Sequence, residues 1–325
     1  MKVLTKLLLS TILLTATISA NETTESNLLL DTFTLTNISF NMDEDGNLNP
    51  NIFLPIYYGS SKQFYSAIGY SSTNSQEVEV LDKFSDSKNA FISSTKDLTL
   101  NYITYKSSLF GYAVSVGVES TFSDVQNNDF GYIHDSANYF GNGTDYYISF
   151  DNNTELDIKR HAIRADIVVP LGEYFSSRFF TSISPYTTIG VKQSTIFKPL
   201  VDETGTSSSS TSQDLAYTFR YDGLIRTGTF FDIGLVAYYD HQPLKYDIAQ
   251  ITENSGSYVF ETNTIDTTEA TTRFVGKVLF NIKILGGLNP SIGYGKEKLD
   301  RKNTLTGETI STDKTFFTVG FEKIF

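Results

Sequence analysis

Residues 315–325 read TFFTVGFEKIF, and this stretch decides the fold. Counting back in twos from Phe325 gives Lys323, Phe321, Val319 and Phe317, while the other parity gives Ile324, Glu322, Gly320, Thr318 and Phe316. The first series is mainly aromatic or aliphatic. The second is small or polar in its middle. A period of two with one apolar side is a β-strand. The same alternation recurs upstream and predicts strands at 31–41, 50–59, 63–74, 96–106, 109–123, 155–170, 180–198, 213–226, 229–247, 270–284, 288–299 and 312–325. No helix-period segment competes with them.

Composition narrows the class. Residues 1–20, MKVLTKLLLSTILLTATISA, carry Lys2 and Lys6, a short apolar run from Leu7 to Leu14 and small residues at Ser19 and Ala20. That is the pattern of a cleaved secretory signal, and the run is too short to span a bilayer as a helix. The chain beyond it, 21–325, reads as one large all-β domain, with 21–45 alternatively a separate leading segment. It has no Cys and no Trp but 25 Phe and 20 Tyr. Without Cys, neither a disulfide framework nor a lipid anchor on a thiol is expected. A net charge of −12 speaks against a nucleic-acid partner, whose phosphates need Lys and Arg.

The connections have a rhythm of their own. Reading back from Phe325, they alternate long and short: NTLTGETIS, then LGGLN, then the region 250–269, then RTGT, then ETGTSSSSTSQ, then LGEYFSSR. The segment 124–154, the turn KSSL, the loop 75–95 and the turn GSSK continue it. Membrane barrels sort their connections in this way, with short turns at one rim and long loops at the other.

The signal sequence, this rhythm and a last strand with apolar Phe317, Val319, Phe321 and terminal Phe325 resemble Gram-negative outer-membrane β-barrels and their terminal assembly signal. Lys323 departs from that signal, where an apolar residue is usual. The resemblance is to the class, whose twelve-stranded members include nucleoside-type channels, phospholipase barrels and autotransporter domains. It implies a transmembrane antiparallel up-and-down barrel of about twelve strands with a periplasmic C-terminus. It also implies lipid and lipopolysaccharide as surroundings and the barrel-assembly machinery as a partner; the residues themselves offer no cofactor motif, and none is expected.

Strand parity then sorts the charges. Phe274, Val278, Phe280, Leu215, Phe219, Leu235 and Ile163 take the apolar side. Arg160, Arg164, Asp166, Lys192, Arg220, Asp222, Arg226, Asp232, Asp240, Arg273, Lys277 and Lys283 take the other, with Tyr186, Glu119, Glu297 and Glu322. A charge on the lipid side at mid-depth would cost about 2–4 kcal/mol, so these residues are expected to line the lumen. Two arrangements compete. In one, a mid-height ring of Arg164, Lys192, Arg220 and Lys277 lines a narrow pore for small solutes with a mild anion preference. In the other, the charges pair, as Asp240 with Arg273 or Lys277 and Asp232 with Lys283, and fill a non-conducting barrel whose acidic outer loops act as an adhesive or receptor platform.

Chemistry is sparse. The three histidines, His134, His161 and His241, match no hydrolase pattern, so an enzyme is not expected. In NMDEDGNLN, Asn41, Asp43, Asp45 and Gly46 fall on positions 1, 3, 5 and 6 of a calcium loop, but Ile52 stands where a bidentate Glu belongs. An Asp-Gly hairpin turn explains the same residues.

Overall fold

The computed structural model describes residues 36–58, 63–79, 88–109, 112–135, 146–198, 201–228, 230–254, 257–282 and 288–323. The strands are β1 (Thr36–Asp43), β2 (Leu48–Tyr58), β3 (Phe64–Glu79), β4 (Lys88–Leu109), β5 (Tyr112–Asp135), β6 (Tyr146–Pro170) and β7 (Phe175–Ser184). They continue as β8 (Thr187–Lys198), β9 (Val201–Ser212), β10 (Ala216–Arg226), β11 (Phe231–Asn254), β12 (Ser257–Phe280), β13 (Asn289–Asn303) and β14 (Thr309–Lys323). Every ladder is antiparallel, and the result is a closed 12-strand barrel with 2 extra strands. The ring closes where β14 meets β1, with Phe321 opposite Ile38 and Val319 opposite Phe40. Gly320 is required at this closure, because a Cβ there would lie 2.5 Å from the Ile38 carbonyl oxygen and the Ser39 Cβ.

The wall has the two-sided pattern that a barrel in lipid demands. Phe317, Val319, Phe40, Phe274, Phe219, Phe179, Ile163 and Val116 are exposed on the outside. Thr318, Glu322, Ser39, Arg164, Asp166, Asp222 and Ser115 are buried on the inside. Phe325 and residues 31–35 lie outside the described residues. Thr36–Asp43 is a strand of the wall, paired with both β14 and β2.

The extra strands come from a break rather than an added hairpin. The 25-residue β6 pairs with β7 along its lower part, nearest the barrel's C-terminal end, and with β8 along its upper part. Strands β7 and β8 are therefore one strand interrupted at Pro185–Tyr186. Ile163 faces Ile183 and Arg160 faces Thr187, so three steps on β6 match four on its neighbour. The additional residue is a bulge, and it exchanges the faces: Ser182 and Ser184 are buried below it, Ile189 and Val191 above it. Strands β9 and β10 likewise follow one line, interrupted at residues 213–215, but without exchange of faces, since Ser212 and Ala216 are both buried.

Several segments expected as long loops are strand. Residues 203–212 form most of β9, and much of 75–95, 124–154 and 250–269 belongs to the tall hairpins β3–β4, β5–β6 and β11–β12. Above the apolar belt both faces of a strand meet water, so Ser, Thr and Asn occupy both and the period of two disappears. The LGEYFSSR and KSSL turns are also narrower than expected, since β7 begins at Phe175 and β4 runs to Leu109.

Candidate functional site: the barrel interior

One side of the interior is filled by a chain of ion pairs. On β6, Arg164 sends Nη1 to Glu119 of β5 at 3.3 Å and Nη2 to Asp166 at 3.2 Å. Asp166 also accepts from Arg178 of β7, with Nε at 2.8 Å, and from the Ser115 hydroxyl at 2.9 Å. Arg178 reaches on to Asp222 of β10 at 3.6 Å, and Asp222 accepts from Arg220 at 2.8 Å. Ser182 donates to Glu119 at 2.6 Å. The Phe180 ring lies 4.9 Å from the Arg164 guanidinium and 5.9 Å from that of Arg178. Three carboxylates and three guanidiniums thus neutralise one another across four strands. Water is excluded from the middle of this chain: the Asp166 side chain is 0% exposed, that of Asp222 1% and that of Arg178 4%.

The other side is looser. Arg273 of β12 bonds Glu297 of β13 through Nε at 2.7 Å, and Lys277 bonds Glu322 of β14 at 2.8 Å, where the Ser291 hydroxyl joins at 2.7 Å. Arg160 of β6 reaches Asp240 of β11 at 3.2 Å, and Thr218 donates to the same carboxylate at 2.5 Å. The inward guanidiniums of Arg220, at 29%, and Arg273, at 28%, keep contact with solvent. Above this level the interior turns aliphatic. Leu156 and Ile158 of β6, Ile189 and Val191 of β8 and Leu244 of β11 pack together, with Val125, Tyr246 and Ile248 against them.

The expected site residues divide. Arg160, Arg164, Asp166, Arg220, Asp222, Asp240, Arg273 and Lys277 all take part in these interior contacts. Their partners differ from those expected: Asp240 holds Arg160, while Arg273 and Lys277 hold Glu297 and Glu322. Asp232 accepts from the Thr227 backbone N–H at 3.1 Å and ties down the turn below β11. Its expected partner Lys283 lies outside the described residues. Lys192 is a correction. Its side chain is 62% exposed on the outer surface, 3.5 Å from Glu155 and 3.9 Å from Asp157, because the bulge at Pro185–Tyr186 reverses the parity of β8. Tyr186 is exposed as well and packs against His161 at 6.0 Å. The mid-height ring therefore does not form: Arg164 is buried, Lys192 is outside, and Lys277 is tied to Glu322.

Two interior cations were missed in the sequence. Arg178 is the hub of the ion-pair chain, and Lys106 is buried with its ammonium 4.5 Å from the Tyr57 ring and 5.2 Å from the Tyr65 ring. Arg178 falls at the end of the turn LGEYFSSR, and Lys106 stands where the strand 96–106 overlaps the turn KSSL. Arg178 shares its parity with Ser182, and extending β7 by a few residues would have exposed it.

The remaining candidates are structural. Asp43 accepts from Asn47 N at 2.8 Å, Asn47 Nδ2 at 3.1 Å and Asn49 Nδ2 at 3.4 Å, and Gly46 follows at φ 81°. With three N–H donors on its carboxylate, Asp43 is the centre of a hairpin turn, the alternative to a calcium loop through Asn41 and Asp45. On the outer wall Ser120 Oγ lies 2.6 Å from His161 Nδ1, but Ser120 is fully buried and its hydroxyl is closed to a substrate. His161 packs edge-on to Phe122 at 6.5 Å and His241 stacks on Tyr217 at 4.7 Å, so both histidines belong to an outward aromatic band.

No family model and no curated protein matches the chain. Among solved structures it is similar to a TodX deltaS2S3 mutant, a monoaromatic hydrocarbon channel, at TM-score 0.43 and 8% identity over 92% of this chain and 93% of the other. It is also similar to the toluene transporter TodX of Pseudomonas putida, at TM-score 0.40 and 7% identity over 94% and 95%.

Proposed function

We propose that this chain is a barrel of the bacterial outer membrane that passes small polar solutes along the hydrated side of its interior, with a mild preference for anions. One observation carries the reading. Arg220 and Arg273 point inward and stay 29% and 28% exposed, while Asp222, the partner of Arg220, is 1% exposed and Glu297, the partner of Arg273, is 21% exposed. Water therefore reaches the Arg220 guanidinium but not its carboxylate, and touches Arg273 more than Glu297, so the charge presented to a passing solute leans positive. In this reading the signal at 1–20 directs export, the C-terminus faces the periplasm and the tall hairpins face outward. Lipid and lipopolysaccharide surround the apolar belt, and the assembly machinery reads the last strand.

The test is single-channel conductance of the refolded, signal-free protein in a planar bilayer under a salt gradient. Steady steps with a reversal potential on the anion side are expected, and Arg220→Glu should move that potential toward cations. A second reading, a non-conducting barrel that works through its outer hairpins, draws support from the buried ion-pair chain and the aliphatic cluster above it. A silent bilayer, with folding verified by the heat-dependent gel mobility of barrels, would establish it in place of the first.

A further inference from the structure

The wall is not hydrogen-bonded all the way up. The β10–β11 ladder ends at Tyr217 opposite His241. Strand β9 continues the line of β10, yet it pairs with β8 and not with β11. The upper edge of β11 is met by side chains instead. Ser210 donates to the Lys245 carbonyl at 2.5 Å and Ser208 to the Asp247 carbonyl at 3.4 Å. The Gln193 amide of β8 takes both backbone groups of Ala249, donating to its carbonyl and accepting from its N–H, each at 2.8 Å.

The sequence dictates this seam. The edge groups that face β9 belong to alternate residues, Lys245, Asp247 and Ala249. Counting back in twos reaches Pro243, which has no N–H to give to a ladder. The missing donor falls where the β10–β11 ladder stops. On the other strand, the serines from Ser207 to Ser210 are small enough to bring β9 against the backbone of β11. Both strand interruptions, Pro185–Tyr186 and residues 213–215, lie at the lower end of β8 and β9. Among the described residues, four side-chain hydrogen bonds and the packing of Leu244, Tyr246 and Ile248 on the aliphatics of β8 therefore hold a boundary that elsewhere in the wall is held by a ladder.

We propose that the upper wall parts along the β9–β11 seam, with β8–β9 as a flap hinged at Pro185 and at residues 213–215, giving the interior a side opening at that end. Parting breaks no backbone ladder, since β8 keeps its pairs with β6 and β11 keeps its pairs with β12.

The experiment is a distance measurement by pulsed electron resonance in liposomes. The chain has no native cysteine, so spin labels at Lys192→Cys on β8 and Asp247→Cys on β11 report the seam alone. Labels at Lys192→Cys and Lys96→Cys span the unbroken β8–β6–β5–β4 ladders as a control. The seam pair should give two distances and the control pair one. Gln193→Ala should at least double the share of the longer seam distance. Pro243→Thr, which returns the missing N–H, should reduce it, and this arm stands if Gln193→Ala does not fold. A single seam distance as narrow as the control's, unchanged in the variant that folds, would overturn the proposal. The measurement needs no ion current, so a barrel that fails to conduct leaves the flap fully testable.

Discussion

The two sides of the interior contain the same residue types and use them differently. Along β5, β6 and β7, Glu119, Arg164, Asp166 and Arg178 are locked together with Asp222 of β10 out of reach of water, and Arg220 at the end of the chain meets solvent. Along β12 and β13, Arg273 and Glu297 form a pair that solvent touches. A buried chain of this kind is costly to break, because removing one member strands its partners without water or counter-charge. A hydrated pair has water as a substitute and contributes little. The difference separates a part of the barrel that holds its shape from a part free to meet a solute.

Arg178→Ala is the sharpest way to break that comparison. It leaves Asp166 with Arg164 alone and Asp222 with Arg220, both still enclosed. The expected loss is about 3–5 kcal/mol of unfolding free energy, read as a lower urea midpoint in lipid vesicles. Arg273→Ala should cost no more than about 1 kcal/mol in the same assay, yet it should alter conductance by changing the charge exposed to the lumen. Equal destabilisation by the two substitutions would show that the division between a dry and a hydrated side does not exist.

How far this division could be read from the sequence depends on what parity encodes. Parity reports which side of the wall a residue takes. Parity puts Phe317, Val319 and Phe274 outside and Arg164, Asp222 and Arg273 inside, because the outer face of the wall is apolar and the interior polar. It says nothing of how much water shares the lumen, so Arg164 and Arg220 looked alike. It failed at Lys192, where Pro185 inserts a residue and every later side chain of β8 changes face. Above the belt it had nothing to report, since water wets both faces of the tall hairpins and the serine-rich β9 reads as a loop. Arg178 and Lys106 stand at strand ends that overlap the turns LGEYFSSR and KSSL, where parity is not yet legible. Pro243 was readable only once the edge it interrupts was known.

The smallest expected effect lies beyond the hydrated side, at a contact with no burial at all. Glu44, in the turn between β1 and β2, accepts from the Thr315 backbone N–H at 3.0 Å and from the Thr315 hydroxyl at 2.6 Å. It clasps that turn to β14 beside the strand pair that closes the barrel. The Thr315 hydroxyl is the main influence holding the Glu44 carboxyl below its ordinary value, with the Thr315 N–H next, against weak opposition from desolvation and from Asp43. The sign follows from this direction. A carboxyl whose value is depressed in the folded chain contributes fully above its unfolded value of about 4.3, and the contribution is lost as pH falls through the lower folded value. Hydrogen exchange at Thr315 should therefore quicken between pH 5 and pH 3 beyond the intrinsic trend, and Glu44→Gln should remove that pH dependence. The unfolding midpoint should hardly move, in contrast to Arg178→Ala, because water replaces the clasp as soon as it opens. Identical exchange profiles for the two chains would mean that the Thr315 bonds do not persist in solution, and that even a charge-assisted clasp needs some of the enclosure that Asp166 has.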